Sequence, residues 1–236
     1  KMISHDFPES ETACPVFVRR FAPAGTVTAA RLYATAHGIY EAELNGKRIG
    51  DAYLAPGWTN YHKFLQVQYY DVTDLVQSGA NELTLTVADG WYKGPLTWDC
   101  NTNYYGSRTA VWAELRLVYA DGRREVIATD TDGSWSVRTG PVQYSQLYMG
   151  ETIDTTAPAP RTAAVCVVGP DEFDHAVLAA QVSEPVRITE RLEPIVIFAD
   201  ASGRTIVDFG QNISGFVELH VQGRPGQTVT LRHAEV

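Results

Sequence analysis

Gly38-Ile39-Tyr40-Glu41-Ala42-Glu43-Leu44-Asn45-Gly46-Lys47-Arg48-Ile49 decides the fold. Side chains alternate across a strand, so Tyr40, Ala42 and Leu44 share one face while Ile39, Glu41 and Glu43 share the other, as a half-buried strand requires. Asn45-Gly46 supplies the positive φ angles of a tight type I′ turn, which sends the chain back through Lys47-Arg48-Ile49 as a hairpin.

The same period of two extends on both sides. Leu83, Leu85 and Val87 alternate with Thr84 and Thr86, and residues 111–119 meet 123–129 across Asp121-Gly122. Further strands are expected at 16–21, 30–35, 65–70 and 134–138. Short strands with turn signals every ~8–12 residues predict an all-β fold, an antiparallel sandwich or jelly roll. One helical turn is expected at 73–78, with Thr73 capping its start and Gly79 ending it.

The pattern weakens from 155 to 185, where Pro158, Pro160, Pro170 and Pro185 forbid long regular elements. This divides the chain into a jelly-roll module at 1–164, a connector at 165–186 and the start of a second β-sandwich at 187–236. In the last part strands are expected at 187–192, 195–199, 205–209, 215–222 and 227–236. The final one has no turn signal after it, so the chain is expected to end inside an element. Fewer than about fifty residues do not comfortably form a core. The second domain is therefore expected to be incomplete, or to pack on the first.

Composition narrows the function. The 236 residues carry a net charge of −9 and no Lys/Arg-rich block, which argues against phosphate neutralisation and hence against nucleic acid. No apolar run reaches the ~18–20 residues of a membrane span, so a soluble chain is expected, with no membrane partner. A first residue of Lys suggests a trimmed start. Cys14, Cys100 and Cys166 are odd in number and far apart, which fits free thiols rather than a disulfide framework. The histidines form no metal-binding pattern.

Several ordered segments carry a resemblance. They are the run from Tyr40 to Asp51 that contains Leu44-Asn45-Gly46, then Leu54-Ala55-Pro56-Gly57-Trp58-Thr59-Asn60-Tyr61, Tyr70-Asp71-Val72-Thr73-Asp74-Leu75, Gly79-Ala80-Asn81 and Asp89-Gly90-Trp91-Tyr92-Lys93-Gly94. In order and spacing these resemble the N-terminal β-sandwich module of bacterial α-L-rhamnosidases. Gly150-Glu151-Thr152-Ile153-Asp154 sits where that family has Gly-Glu-x-Tyr-Asp, although Thr155-Thr156 departs from the Ala-Arg that usually follows. Ile206-Val207-Asp208-Phe209-Gly210-Gln211-Asn212 and Leu231-Arg232-His233-Ala234-Glu235 resemble the opening of the family's next β domain. The resemblance implies a parent that is an inverting glycoside hydrolase; its localisation stays open, with the bacterial cytoplasm as the expectation. Its catalytic (α/α) barrel would lie later in the same chain and be this region's partner.

Each motif also has a purely structural reading. Asn45-Gly46 is a hairpin turn, Pro56-Gly57 a turn that points Trp58 inward, Asp71 with Thr73 a capped corner and Gly79 a helix stop.

Catalytic residues are not expected in this region. A glycosidase needs two carboxylates flanking the scissile bond, ~5–5.5 Å apart for retention and ~6.5–9.5 Å for inversion. Glu41 and Glu43 lie two apart on one strand, so they point in parallel and cannot flank a sugar. A twelve-helix barrel needs about 190 residues, and this chain is spent on strands. Asp208-Phe209-Gly210 matches a protein-kinase metal loop by coincidence, because no glycine-rich loop or His-Arg-Asp segment accompanies it.

The segment from Trp91 to Tyr105 is the candidate binding region. Trp91, Tyr92, Trp98, Tyr104 and Tyr105 could pack on the C–H face of a sugar while Asp99 and Asn101 bond its hydroxyls. Some modules of the family bind L-rhamnose with calcium, and Asp89, Asp99 and Asn101 are hard oxygen ligands suited to that ion. The competing reading, which ranks first, makes Trp91 and Tyr92 core and the loop a surface that docks on a neighbouring domain. Two functions thus stand side by side: a structural and docking module, or a carbohydrate-binding module for L-rhamnose-containing glycans. Exposure of the aromatic residues in one concave patch would favour the second.

Overall fold

The structure is a computed structural model that describes residues 1–156, 159–169, 173–224 and 226–233. It divides into two units, Lys1–Arg187 and Ile188–Val236.

In chain order the first unit comprises β1 (Ile3–His5), β2 (Pro15–Phe21), β3 (Val27–His37), β4 (Ile39–Leu44), β5 (Lys47–Arg48), β6 (Leu65–Asp71), β7 (Asn81–Ala88), β8 (Ala110–Tyr119), β9 (Arg124–Ala128), β10 (Trp135–Thr139), β11 (Val142–Gln146), β12 (Gly150–Ile153), β13 (Thr162–Ala163), β14 (Val165–Val167) and β15 (Leu178–Ala180). One sheet runs β14-β1-β8-β3-β6-β15 with β9 also beside β8, and the other runs β13-β10-β2-β7-β4-β5. The long strands therefore cross repeatedly between sheets, in the manner of a jelly roll.

Alternation explains what lies between the sheets. Leu32, Ala34, Leu115 and Leu117 from one sheet meet Phe17, Ala42, Leu44, Leu83 and Leu85 from the other, all buried in one cluster. Glu41 and Glu43 occupy the opposite, exposed face of β4. Ala110 and Trp112 alternate with Val111 and Ala113 of that cluster, so they turn to the other side of their sheet. There they join Met2, Tyr61, Leu65, Tyr92 and Phe173 in a second cluster.

The motif residues position strands. Asn45 and Gly46 have φ of 56° and 72°, as the type I′ turn demands. Asn45 Nδ2 donates to the Leu75 carbonyl and to Asn81 Oδ1, each at 2.9 Å, and its Oδ1 accepts from the Glu82 amide at 2.9 Å. One side chain thus ties the hairpin tip to the start of β7. The helical turn is shorter than expected, a 3₁₀ turn at Thr73–Leu75 with Val72 at the N-cap position and no side-chain cap bond, so Thr73 does not cap it. Asp71 Oδ1 accepts from the Thr73 amide at 3.0 Å and from its hydroxyl at 2.6 Å, and this holds the carboxyl below the usual carboxylate range.

Two expectations are corrected here. The segment expected as a connector is built into the first unit: β14 pairs antiparallel with β1, and β15 pairs parallel with β6. Buried Gln66 then fixes the chain just after β15, its Oε1 accepting from the Val182 amide at 3.1 Å and the Ser183 hydroxyl at 3.1 Å. Trp58 does not point inward but is 55% exposed.

In the second unit, β16 (Val196–Ala199) pairs antiparallel with β17 (Thr205–Asp208). Asp200 shapes the turn between them by accepting from the Ser202 and Arg204 amides, each at 2.9 Å. The expected strands at 187–192 and 215–222 are absent among the described residues, and the end of the one at 227–236 lies outside them. None of this unit's described residues is buried. Apolar alternation without an opposing layer gives those segments neither a ladder nor a core.

Candidate functional site

The candidate region begins where β7 ends. Gly90 has φ of +53°, and a Cβ there would stand 2.7 Å from Ile39 Cγ1, so the close approach of this turn to β4 requires glycine. A single helical turn, α1 (Gly90–Lys93), follows. Asp89 at its start forms an ion pair with Lys93 Nζ at 3.0 Å and accepts from Gln146 Nε2 at 2.8 Å.

Beyond α1 the chain folds back on itself. The Asn103 amide donates to the Lys93 carbonyl at 2.8 Å and the Tyr105 amide to the Tyr92 carbonyl at 3.3 Å. Within that return the Leu96 amide bonds the Asn101 carbonyl at 2.9 Å, which leaves Trp98 and Asp99 at the tip of a small turn. Thr97, Cys100 and Asn103 accommodate it with positive φ.

The seven expected sugar contacts split into two groups. Tyr92 is buried, only 3% exposed. Its ring stacks on His37 at 4.2 Å and 12° and meets Tyr61 edge-on at 5.5 Å. Tyr105 packs edge-on against Tyr61 at 4.9 Å, and Trp91, half-buried, lies parallel to Trp58 at 6.0 Å and 5°. The other group, Trp98, Asp99, Asn101 and Tyr104, is exposed, Trp98 fully so.

His37 belongs to this aromatic cluster, and burial pushes its pKa down to about 4, with nearby His62 adding to the effect. His5 is also lowered to about 4, by burial first and then by the Lys93 and Arg108 charges. Neutral imidazole is thus the form the folded state accommodates.

Asp89 already carries an ammonium and an amide partner, and the described residues contain no group of three or more His, Cys, Asp or Glu side chains placed to share an ion. Cys14, Cys100 and Cys166 are free thiols; burial, with Asp89 and Glu151 nearby, pushes the Cys14 thiol up to about 12. Glu41 is bound to Arg48 at 3.0 Å. Asp208 of the Asp-Phe-Gly tripeptide accepts the Gly210 amide at 2.7 Å and closes a turn.

Sequence reasoning missed Trp58, Tyr61 and His37 as parts of this region. The signal for Trp58 and Tyr61 was the Trp-Thr-Asn-Tyr segment after Pro56-Gly57, whose turn chemistry by itself points only to the core; His37, at the end of β3, carried none. No helix among the described residues is long and apolar enough to cross a membrane.

A two-sheet jelly roll with an aromatic cluster under one loop defines a β-sandwich module of the kind found in multidomain proteins. Residues 25–190 match the family described as the alpha-L-rhamnosidase N-terminal domain, and the chain belongs to that family. Residues 199–236 match the bacterial alpha-L-rhamnosidase concanavalin-like domain. An alpha-L-rhamnosidase of Streptomyces avermitilis is 44% identical over 222 residues, which cover 91% of this chain and 21% of that protein. The native α-L-rhamnosidase of Aspergillus terreus superposes with a TM-score of 0.80 at 32% identity, covering 90% of this chain and 26% of its own. The Streptomyces avermitilis enzyme complexed with L-rhamnose gives 0.73 at 39%, covering 86% of this chain and 20% of its own. The chain thus spans between 21% and 26% of the length of the curated relatives it matches.

Proposed function

We propose that this chain is the N-terminal, non-catalytic region of an α-L-rhamnosidase, a glycoside hydrolase that removes terminal α-L-rhamnose, and that it serves the enzyme as a structural and docking module. Its partner is the catalytic (α/α) barrel later in the same chain. The observation that carries the docking reading is the division of the aromatic region. Tyr92 and Tyr105 anchor the loop inward, Trp58 and Trp98 stand outward, and Asp89, the carboxylate at the loop's base, is already committed to Lys93 and Gln146. Outward aromatic side chains on a loop whose base carboxylate is already paired suit a protein surface better than a ring of hydroxyls.

A second reading draws on the full exposure of Trp98: a weak L-rhamnose site at the loop tip, with Asp99 and Asn101 as hydroxyl partners. One monosaccharide would gain one or two stacked faces and a few hydrogen bonds at ~1 kcal/mol each, a dissociation constant on the order of 1 mM. Calorimetric titration of the chain with L-rhamnose separates the two. Docking predicts no saturable heat, whereas millimolar binding lost in Trp98→Ala and Asp99→Ala would install the second reading.

A further inference from the structure

One element stands apart from both sheets. Among the described residues β11 and β12 pair only with each other, as a two-stranded hairpin with a register shift between Val142 and Tyr144. An isolated pair of strands is marginally stable in water. This pair is held at its base, where the Cys14 amide donates to the Val142 carbonyl at 2.9 Å and the Asp154 amide to the Pro141 carbonyl at 2.8 Å. Tyr144 Oη donates to Gln146 Oε1 at 2.6 Å, and Gln146 Nε2 reaches Asp89. The fixed base presents an apolar tip: Leu147, Tyr148 and Met149, with Ile153 beside them, are 37%, 65%, 52% and 54% exposed. Glu151 is the acidic side chain of this otherwise apolar end and is also exposed.

We infer that this tip, Leu147-Tyr148-Met149 with Ile153, seats in an apolar surface formed by the part of the parent chain beyond residue 236. The inference rests on the docking reading and names the element that makes the contact. Three observations select that occupant. Four half-exposed side chains offer roughly 400 Å², against the ~800 Å² per partner of a stable association between separate molecules. A tethered partner needs far less, because linkage supplies an effective concentration in the millimolar range. The curated relatives are four to five times longer than the matched region, so such a tethered partner is at hand. The tip's one carboxylate further predicts a cationic side chain at the rim of the receiving surface.

The two methionines of this region, buried Met2 and exposed Met149, give the test its internal scale. The full-length parent is treated with peroxide and oxidation is followed peptide by peptide, with radical footprinting of Trp58 and Trp98 in parallel. A seated tip predicts that Met149 oxidises about tenfold or more slowly than in the urea-unfolded chain, close to Met2, since sulfoxide formation follows exposure. A photo-crosslinking residue replacing Tyr148 should join positions beyond 236. Rapid oxidation of Met149 with Trp58 and Trp98 protected would overturn the inference and leave the docking reading standing; rapid labelling of all three would overturn both. Protection that disappears on dilution, or a crosslink that maps within residues 1–236, would also overturn it.

Discussion

In β7, Leu83, Leu85 and Val87 are sealed between two sheets, whereas in β16 and β17 the apolar residues Val196, Ile197, Phe198 and Val207 stay exposed. The residue types are nearly interchangeable between the two regions. What differs is the presence of a second layer: β7 lies between β2 and β4 in a sheet that faces another across a shared cluster, while β16 and β17 have only each other. Burial is worth about 25 cal/mol per Å² of apolar surface removed from water, so alternation contributes to stability only where an opposing sheet removes that surface. Period two therefore specifies a strand's facing; the layer that covers it comes from elsewhere in the chain.

The sharpest way to break this comparison is to truncate one side chain in each region. Leu85→Ala is expected to cost about 2–5 kcal/mol, because it empties a site at the centre of the sandwich, while Ile197→Ala should cost less than ~0.5 kcal/mol. Urea unfolding followed by far-ultraviolet circular dichroism measures both, and equal losses would show that the second unit has a core of its own.

Acid should act on the first unit through its buried imidazoles. His37 has a folded pKa of about 4 against 6.5 when unfolded, so the unfolded state binds more protons between those values. Its contribution is complete above pH 6.5 and is lost as pH falls toward 4, about 3 kcal/mol at the lower limit. His37→Phe keeps a ring against Tyr92 and Phe173 and should lessen the fall of the thermal midpoint between pH 7 and 4, leaving the share of His5. An unchanged slope in the variant would assign the acid sensitivity elsewhere.

A smaller effect tests the hairpin motif. Asn45→Ala removes the bonds to Leu75, Asn81 and Glu82 and places alanine at φ of 56°, at an expected cost of about 1–3 kcal/mol. Asn45→Gly, which relieves the backbone but not the bonds, should recover only part of that loss in the same unfolding assay.

The strands of the sandwich were legible because each carries enough alternating residues to declare a face; the expected strands at 16–21, 30–35, 65–70, 111–119 and 134–138 fall on β2, β3, β6, β8 and β10. The short edge strands were not. Ile3–His5, Val165–Val167 and Leu178–Ala180 hold three residues each, too few to show a period, and they are fixed by partners distant in sequence. Among the described residues of the segment expected as a connector, three-residue strands form all the same. In the candidate region, composition revealed the aromatic cluster but not its direction. Tyr92 and Trp98 are the same kind of residue in sequence, and only the backbone return at Lys93 and Asn103 sends one into the core and the other to the surface.

The central claim, that this region supports a rhamnosidase without performing its chemistry, is tested most directly by assaying the purified chain beside its full-length parent on an aryl α-L-rhamnoside. Turnover by the parent and none by the chain is the predicted result, because Glu41 and Glu43 project together from the exposed face of β4 with Glu41 bound to Arg48. Hydrolysis by the chain that is abolished in Glu41→Gln or Glu43→Gln would contradict the account.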